Sequence, residues 1–235
     1  MIKEAMILAA GFGKRLNPLT KNCPKPLLKI GKETLLSNTL KFLEKYGIKK
    51  VSINVHYLSE QIVDYLNNNK FNLNINIIKE EEKILDTGGG ILNAIKNFSK
   101  APLIIINPDT VWNSNYLSIL KEMDKFFHKN KKNKCLMLLA KKEKSFDQSL
   151  DGDFNLSNNL ISKKESGSLK YIYTGLQIIN PDIFLSSKEK VFPINKIWDL
   201  LIKNNELHGI ESSSDFLHIS TLSIYKELIK KNFKR

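Results

Sequence analysis

The sequence predicts an α/β fold: a doubly wound, mostly parallel sheet between two layers of helices, three layers in all. Three observations carry that prediction. Short apolar runs alternate with segments of helical spacing through the first half of the chain. The run at 102–107 is continuously apolar up to its closing Asn107, as a strand covered on both faces is. The first run ends in two closely spaced glycines, which suits a turn beyond the carboxyl end of a parallel strand.

Taken in order, Ala5-Met6-Ile7-Leu8-Ala9-Ala10 has the length of a buried strand, and Gly11-Phe12-Gly13 lets the backbone turn sharply. Leu35, Leu36, Thr39, Leu40, Phe42 and Leu43 keep helical spacing, ending near Gly47. Residues 50–55 read as a second strand, and 59–67 as a short helix with Ser59 as its expected N-cap. Residues 73–78 alternate like a third strand, a helix follows over about 89–98, and the apolar strand at 102–107 comes next. The second half is less regular. Residues 134–140 suit another strand, and 151–167, rich in Asn, Ser, Gly and Asp, should be loop or hairpin. Residues 170–179 form a strand interrupted by Gly175, where a ligand or another backbone is expected to come close. Residues 194–202 and 221–233 have helical spacing. Without an internal repeat, low-complexity tract or linker, 1–235 is expected to be a single domain.

Composition narrows the function. The chain of 235 residues has a formal net charge of +13, but its lysines are spread along its whole length. The densest patch, Lys125 to Lys134, sits at a helix end and reads as a solvated face, so no nucleic-acid partner is expected. The surplus would still speed encounter with anionic metabolites. Cys23 and Cys135 stand far apart, which disfavours zinc or a disulfide framework and fits a reducing cytoplasm. Glu4 interrupts the only leader-like stretch and no apolar segment is long enough to span a bilayer, so no membrane partner is expected. A monomer and a small homo-oligomer both stay open.

The glycine turn carries the strongest chemical signal. It is no P-loop, since Gly11 lacks a second glycine five residues on, and Leu16 replaces the last glycine of a dinucleotide fingerprint. A strand ending in a Gly-rich turn beside Lys14 and Arg15 nevertheless brings free N–H groups and positive charge together, as a phosphate site requires. Of 37 basic residues only Arg15 and Arg235 are arginine. The internal one therefore stands where a rigid guanidinium fork suits paired phosphate oxygens. Asn107-Pro108-Asp109 closes the most apolar strand. Its carboxylate either holds a hard cation such as Mg2+ or caps the next turn. Asp86-Thr87-Gly88-Gly89-Gly90 is a second glycine turn at a helix start, whose N–H groups suit a phosphate or a base edge. His56 and Tyr57 lie at a strand end, either beside the site or in edge packing.

The wider string, Leu8-Ala9-Ala10-Gly11-x-Gly13-x-Arg15-Leu16-x-Pro18-Leu19-Thr20 followed by Pro24-Lys25-Pro26-Leu27-Leu28, resembles the signature of the sugar-1-phosphate nucleotidyltransferases. Those enzymes join a nucleoside triphosphate to a sugar 1-phosphate and release pyrophosphate. The resemblance implies a Rossmann-like fold with a nucleotide-binding half (1–110) and a sugar-binding half (111–235); the C-terminal β-helix domain of some members is not expected, since the sequence has no hexapeptide repeats. It implies nucleotide contacts from Leu8, Ala9, Ala10, Gly11, Gly13, Arg15, Lys25, Asn54, Gly88 and Gly89. Arg15 would hold the leaving phosphates, Lys25 the α-phosphate and the sugar phosphate, and Asp109 the metal, Mg2+ or Mn2+. Asn107, Thr174, Gly175 and Trp198 would face the sugar, although Trp198 equally suits a core.

Around Asn195-x-x-Trp198-Asp199 the chain resembles the N-acetylmuramate 1-phosphate uridylyltransferases, which implies UTP and N-acetylmuramate 1-phosphate as substrates. A mannose-1-phosphate guanylyltransferase and a non-catalytic sugar-nucleotide-binding regulatory protein are the alternatives. One departure stands out. The family pattern Trp-x-Asp-x-Gly-Thr-Pro reads here Phe216-Leu217-His218-Ile219-Ser220-Thr221-Leu222, so His218 replaces the second metal-binding carboxylate. Either His218 ligates and softer Mn2+ is favoured, or Mg2+ is held by Asp109, phosphates and waters alone. The second is expected, with Asp215 facing away.

Overall fold

The structure, a computed structural model, describes residues 1–130, 133–163, 168–185 and 187–232. Residues 131 and 132 of the lysine patch, 164–167 of the expected loop, Phe233 and Arg235 lie outside the described residues. β1 (Glu4–Leu8) leads through a small hairpin, β2 (Lys29–Ile30) and β3 (Glu33–Thr34), into α1 (Leu35–Tyr46). β4 (Lys50–Val55), α2 (Ser59–Asn67), β5 (Asn74–Lys79), α3 (Asp86–Ile95), β6 (Leu103–Ile106) and α4 (Asn115–Lys129) then alternate. β7 (Cys135–Lys141), β8 (Asn155–Ser157), β9 (Leu160–Ser162), β10 (Tyr171–Ile179), α5 (Asn195–Lys203), β11 (Leu207–Glu211) and α6 (Leu222–Asn232) complete the order.

Among the described residues nine strands form one sheet, in the order β5-β4-β1-β6-β10-β7-β11-β9-β8. It is mostly parallel, as expected. β1 lies between β4 and β6, all parallel, while β10 enters antiparallel between β6 and β7. Side-chain alternation along the strands loads both faces. Ala5 and Ile7 of β1 join Leu36, Leu40, Leu43, Ile62, Leu120 and Met123 of α1, α2 and α4. Met6 points the other way, into a cluster with Ile91 and Ala94 of α3 and Ile197, Trp198 and Leu201 of α5. Burying each large aliphatic side chain contributes about 1.5–3 kcal/mol, so these two clusters supply most of the driving force for the three-layer form.

Local chemistry explains the element ends. α1 opens on a capping box, with Ser37 N donating to Thr34 Oγ1 at 3.0 Å and Thr34 N to Ser37 Oγ at 2.9 Å. It stops at Gly47, in the left-handed region at φ 104. The loop-or-hairpin region resolves into β8 and β9, joined by Asn158 and Asn159 at φ 49 and 62, the conformation of a two-residue hairpin turn.

Ser59 is not the cap of α2. That place is taken by left-handed Leu58, with no side-chain cap, because the Tyr57 hydroxyl donates to Thr20 O and ties the chain down just before the helix. β11, absent from the sequence reading, pairs in parallel with β7 over Leu207–Glu211.

Candidate active site

Beyond the carboxyl ends of β1, β4 and β6 lies a cleft of about 400 Å³. Its walls include Leu8, Ala9, Ala10, Gly11, Gly13, Arg15, Lys25, Asn54, Asn107 and Asp109, residues drawn from segments far apart in the chain. The loop after β1 is shaped by its own sequence. Gly13 sits at φ 64, and a Cβ there would come within 3.1 Å of both Lys25 Cβ and Thr20 Cγ2, so only glycine fits without strain. Thr20 braces the turn, its buried hydroxyl donating to Gly13 O at 2.9 Å. Gly11 has nothing within 4 Å of its missing Cβ and faces open space.

The charged groups divide into free and paired. The Arg15 side chain is exposed at the rim and has no hydrogen-bond partner among the described residues. Lys25 stands at the start of a short turn between Pro24 and Pro26, and its ammonium reaches Asp109 Oδ2 at 2.6 Å. The backbone at Asp109 is held from two sides. Asn107 N donates to Gly175 O at 2.8 Å, and Ile219 N donates to Asp109 O at 2.8 Å. The second contact runs 109–111 antiparallel to 217–219 and brings His218 Nε2 to 3.3 Å from Asp109 Oδ2. Burial alone would raise the Asp109 carboxyl pKa. The Lys25 ammonium and the His218 imidazole outweigh it and hold the group well below the usual carboxylate range.

Among the described residues no three His, Cys, Asp or Glu side chains converge as a protein-only metal cage would. Asp109 Oδ1, however, is buried and has no hydrogen-bond partner. An unpaired carboxylate oxygen on a residue that lines the cleft fits a hard cation that completes its shell with phosphate and water.

Several expected contacts are redirected. Asn54 lines the cleft, but both polar atoms of its amide are already bonded to the protein. Oδ1 accepts from Ala9 N at 3.0 Å, and Nδ2 donates to Glu80 Oε1 at 2.7 Å. Glu80 is itself buried and takes Leu85 N on Oε2 at 2.8 Å, so one carboxylate links the β4 end to the second glycine turn. The sequence reading missed Glu80 because it opens the run Glu80-Glu81-Glu82, which looks like solvated charge.

Gly88 and Gly89 do not offer free N–H groups. Both donate to Phe192 O, at 2.9 and 3.0 Å, and their glycines are required because Phe192 and Lys190 lie against them. Asp86 and Thr87 reach the cleft instead.

On the sugar side, Thr174 is buried and its hydroxyl donates to Leu138 O at 2.9 Å, so it faces the interior. Trp198 is buried in the core against Tyr173 and donates to Gln177 Oε1 at 3.0 Å; it is no sugar platform. Gly175, at φ 87, makes room for Asn107, whose Cβ would lie 2.8 Å from an added methyl group. Tyr57 braces the first loop from outside, packing on Phe12, and His56 meets the same ring edge-on. Asp215 is exposed, and among the described residues its backbone carbonyl alone is engaged, by the Tyr116 hydroxyl at 2.9 Å.

Comparison with known proteins places the chain in a family. A family model described as nucleotidyl transferase matches residues 4–146. The chain is 25% identical over 221 residues to an N-acetylmuramate alpha-1-phosphate uridylyltransferase of Caulobacter vibrioides, covering 92% of this chain and 91% of the relative. It is 29% identical over 233 residues to a D-glycero-alpha-D-manno-heptose 1-phosphate guanylyltransferase of Aneurinibacillus thermoaerophilus, covering 97% of each. Among solved structures, HddC from Yersinia pseudotuberculosis superposes with a TM-score of 0.75 at 23% identity, over 98% of this chain and 99% of that one.

Proposed function

The chain belongs to the nucleotidyl transferase family, and from that premise we propose that its cleft joins UTP to N-acetylmuramate 1-phosphate and releases pyrophosphate. Transfer of a nucleotidyl group to a sugar 1-phosphate is the activity common to its relatives. The observation that carries the reading is the meeting of Arg15, Lys25 and Asp109 at the rim of one cleft beyond β1 and β6. In the reaction an oxygen of the sugar phosphate attacks the α-phosphorus, and the bond to the pyrophosphate oxygen breaks. No covalent nucleophile on the protein is needed; alignment and charge neutralisation do the chemistry.

Arg15, free and exposed, would hold the β- and γ-phosphates that leave. Lys25 would exchange its partner at Asp109 for the α-phosphate and the incoming sugar phosphate. Backbone groups of Leu8 to Gly13 would lie along the nucleotide, with Asn54 and Glu80 fixing their course. Asp109 would hold Mg2+, or Mn2+, through its unpaired oxygen. Bound there, the ion would neutralise charge building on the phosphoryl oxygens.

The choice of UTP and N-acetylmuramate 1-phosphate rests on the resemblance around Trp198 and on the uridylyltransferase relative. A second reading, a guanylyltransferase acting on a mannose-type 1-phosphate, is favoured by the heptose relative, which matches over nearly the full length of both chains. Pyrophosphate release should be measured across UTP, GTP, CTP and dTTP, each with several sugar 1-phosphates. UTP with the muramate substrate should be the fastest pair. A preference for GTP with a mannose-type substrate would establish the second reading. Nucleotide binding with no turnover in any pair would show a regulatory protein instead.

A further inference from the structure

We propose that His218 is a positioning residue for the cation site, holding one oxygen of Asp109 so that the other remains the chain's single ligand to the ion. The inference rests on the reading of Asp109 just given and adds the side chain that aims it. Both anchors of the carboxylate fall on the same atom. Oδ2 receives Lys25 Nζ at 2.6 Å and His218 Nε2 at 3.3 Å, while buried Oδ1 has no partner. A ligating imidazole presents a lone pair. Nε2, 3.3 Å from the carboxylate oxygen, presents N–H there and so is not the ion's ligand, while the other ring nitrogen, Nδ1, is buried without a partner. Nitrogen is in any case a poor match for a hard ion.

The ring has little freedom to turn elsewhere. It stacks on Phe216, with centroids 5.5 Å apart and planes 3° from parallel. Its backbone pairs with Thr110, and the next residue donates to Asp109 O. One residue further, the Ser220 hydroxyl is bonded to buried Asp147, whose other oxygen takes Ser149 N at 3.0 Å and Ser149 Oγ at 2.6 Å. His218 is thus gripped on both sides along the chain.

Two anchors on one oxygen matter because one of them leaves. When Lys25 turns to the phosphates, His218 is the donor that remains on Oδ2. The carboxylate then keeps its orientation through the step. Hydrogen bonds of this kind generally set how a carboxylate meets its metal.

The test uses Mn2+ as a paramagnetic probe on the whole chain, alone and with each nucleoside triphosphate but no sugar phosphate. Free Mn2+ is read by electron paramagnetic resonance, and directly bonded nitrogen by its pulsed form with isotopically labelled histidine. Wild-type protein should show no histidine nitrogen bonded to the ion. His218→Leu should weaken Mn2+ binding about tenfold or more, and His218→Gln, which keeps an N–H donor, should recover most of that. Both are compared at matched circular dichroism, and the glutamine rescue separates a lost donor from a damaged fold. A directly bonded histidine nitrogen in wild type overturns the proposal. So does His218→Leu binding Mn2+ within about twofold of wild type. If pyrophosphate is released but no Mn2+ binds, the positioning role fails while the transferase reading stands. If the Mn2+ pattern appears without pyrophosphate release, the transferase reading fails and the positioning role stands.

Discussion

At the scale of single residues, Lys25 makes the strongest commitment. Its ammonium already lies 2.6 Å from Asp109, between two prolines that limit where it can point. Lys25→Ala should lower kcat by at least about a hundredfold, on the order of 2–4 kcal/mol of barrier, with circular dichroism unchanged. Near-normal pyrophosphate release from the folded variant would remove Lys25 from the chemistry. Asp109→Asn keeps the shape and loses the charge, so it should abolish both turnover and any dependence on added Mg2+; turnover that still rises with millimolar Mg2+ puts the ion elsewhere. Gly175 tests structure rather than chemistry. Its φ of 87 and the 2.8 Å approach of Asn107 Cβ predict that Gly175→Ala costs about 1–3 kcal/mol in chemical denaturation. A neutral result would mean that β10 shifts freely at that point.

At the scale of elements, the cleft depends on braces between strand ends. Asn54 at the end of β4 holds Ala9 N and Glu80 Oε1, so it joins the first loop to the end of β5. Asn54→Ala leaves both groups unpaired and should cost roughly 1–3 kcal/mol for each that water cannot reach. It should also raise KM for the nucleoside triphosphate more than it lowers kcat, and a kcat loss alone would place Asn54 in the transition state instead. The first strand, its glycine turn and the prolines around Lys25 were legible in the sequence because their chemistry is local. The pairings were not. Nothing local says that β10 runs antiparallel, or that Phe192 O occupies Gly88 N and Gly89 N from about a hundred positions away. Thr174 and Trp198 failed for a related reason. Alternation tells which residues share a face, but only the packed sheet tells which face the cleft opens from. β11 escaped notice because five residues containing His208 and Gly209 carry too weak a strand signal against the helices on either side.

At the scale of the whole molecule, the sheet passes without a break from β5, β4, β1 and β6 to the strands of the second half of the chain, through the pairing of β6 with β10. The two tryptophans lie on opposite faces of that sheet, Trp112 in the cluster with α1 and α4 and Trp198 in the cluster with α5. Unfolding followed by either tryptophan alone, in single Trp→Phe variants, should therefore trace the same transition as far-ultraviolet circular dichroism. Separate midpoints would show two units that unfold on their own. No helix among the described residues is long and apolar enough to cross a membrane. The pairing of 217–219 with 109–111 has a further consequence, in the order of synthesis. A growing chain acquires the glycine turn, Lys25 and Asp109 early, but His218 follows only after nearly half the sequence more has been made. At ordinary rates of translation that interval is on the order of ten seconds. Through it the growing chain holds Asp109 without its second anchor, and a message cut short before codon 218 yields a polypeptide that never acquires it.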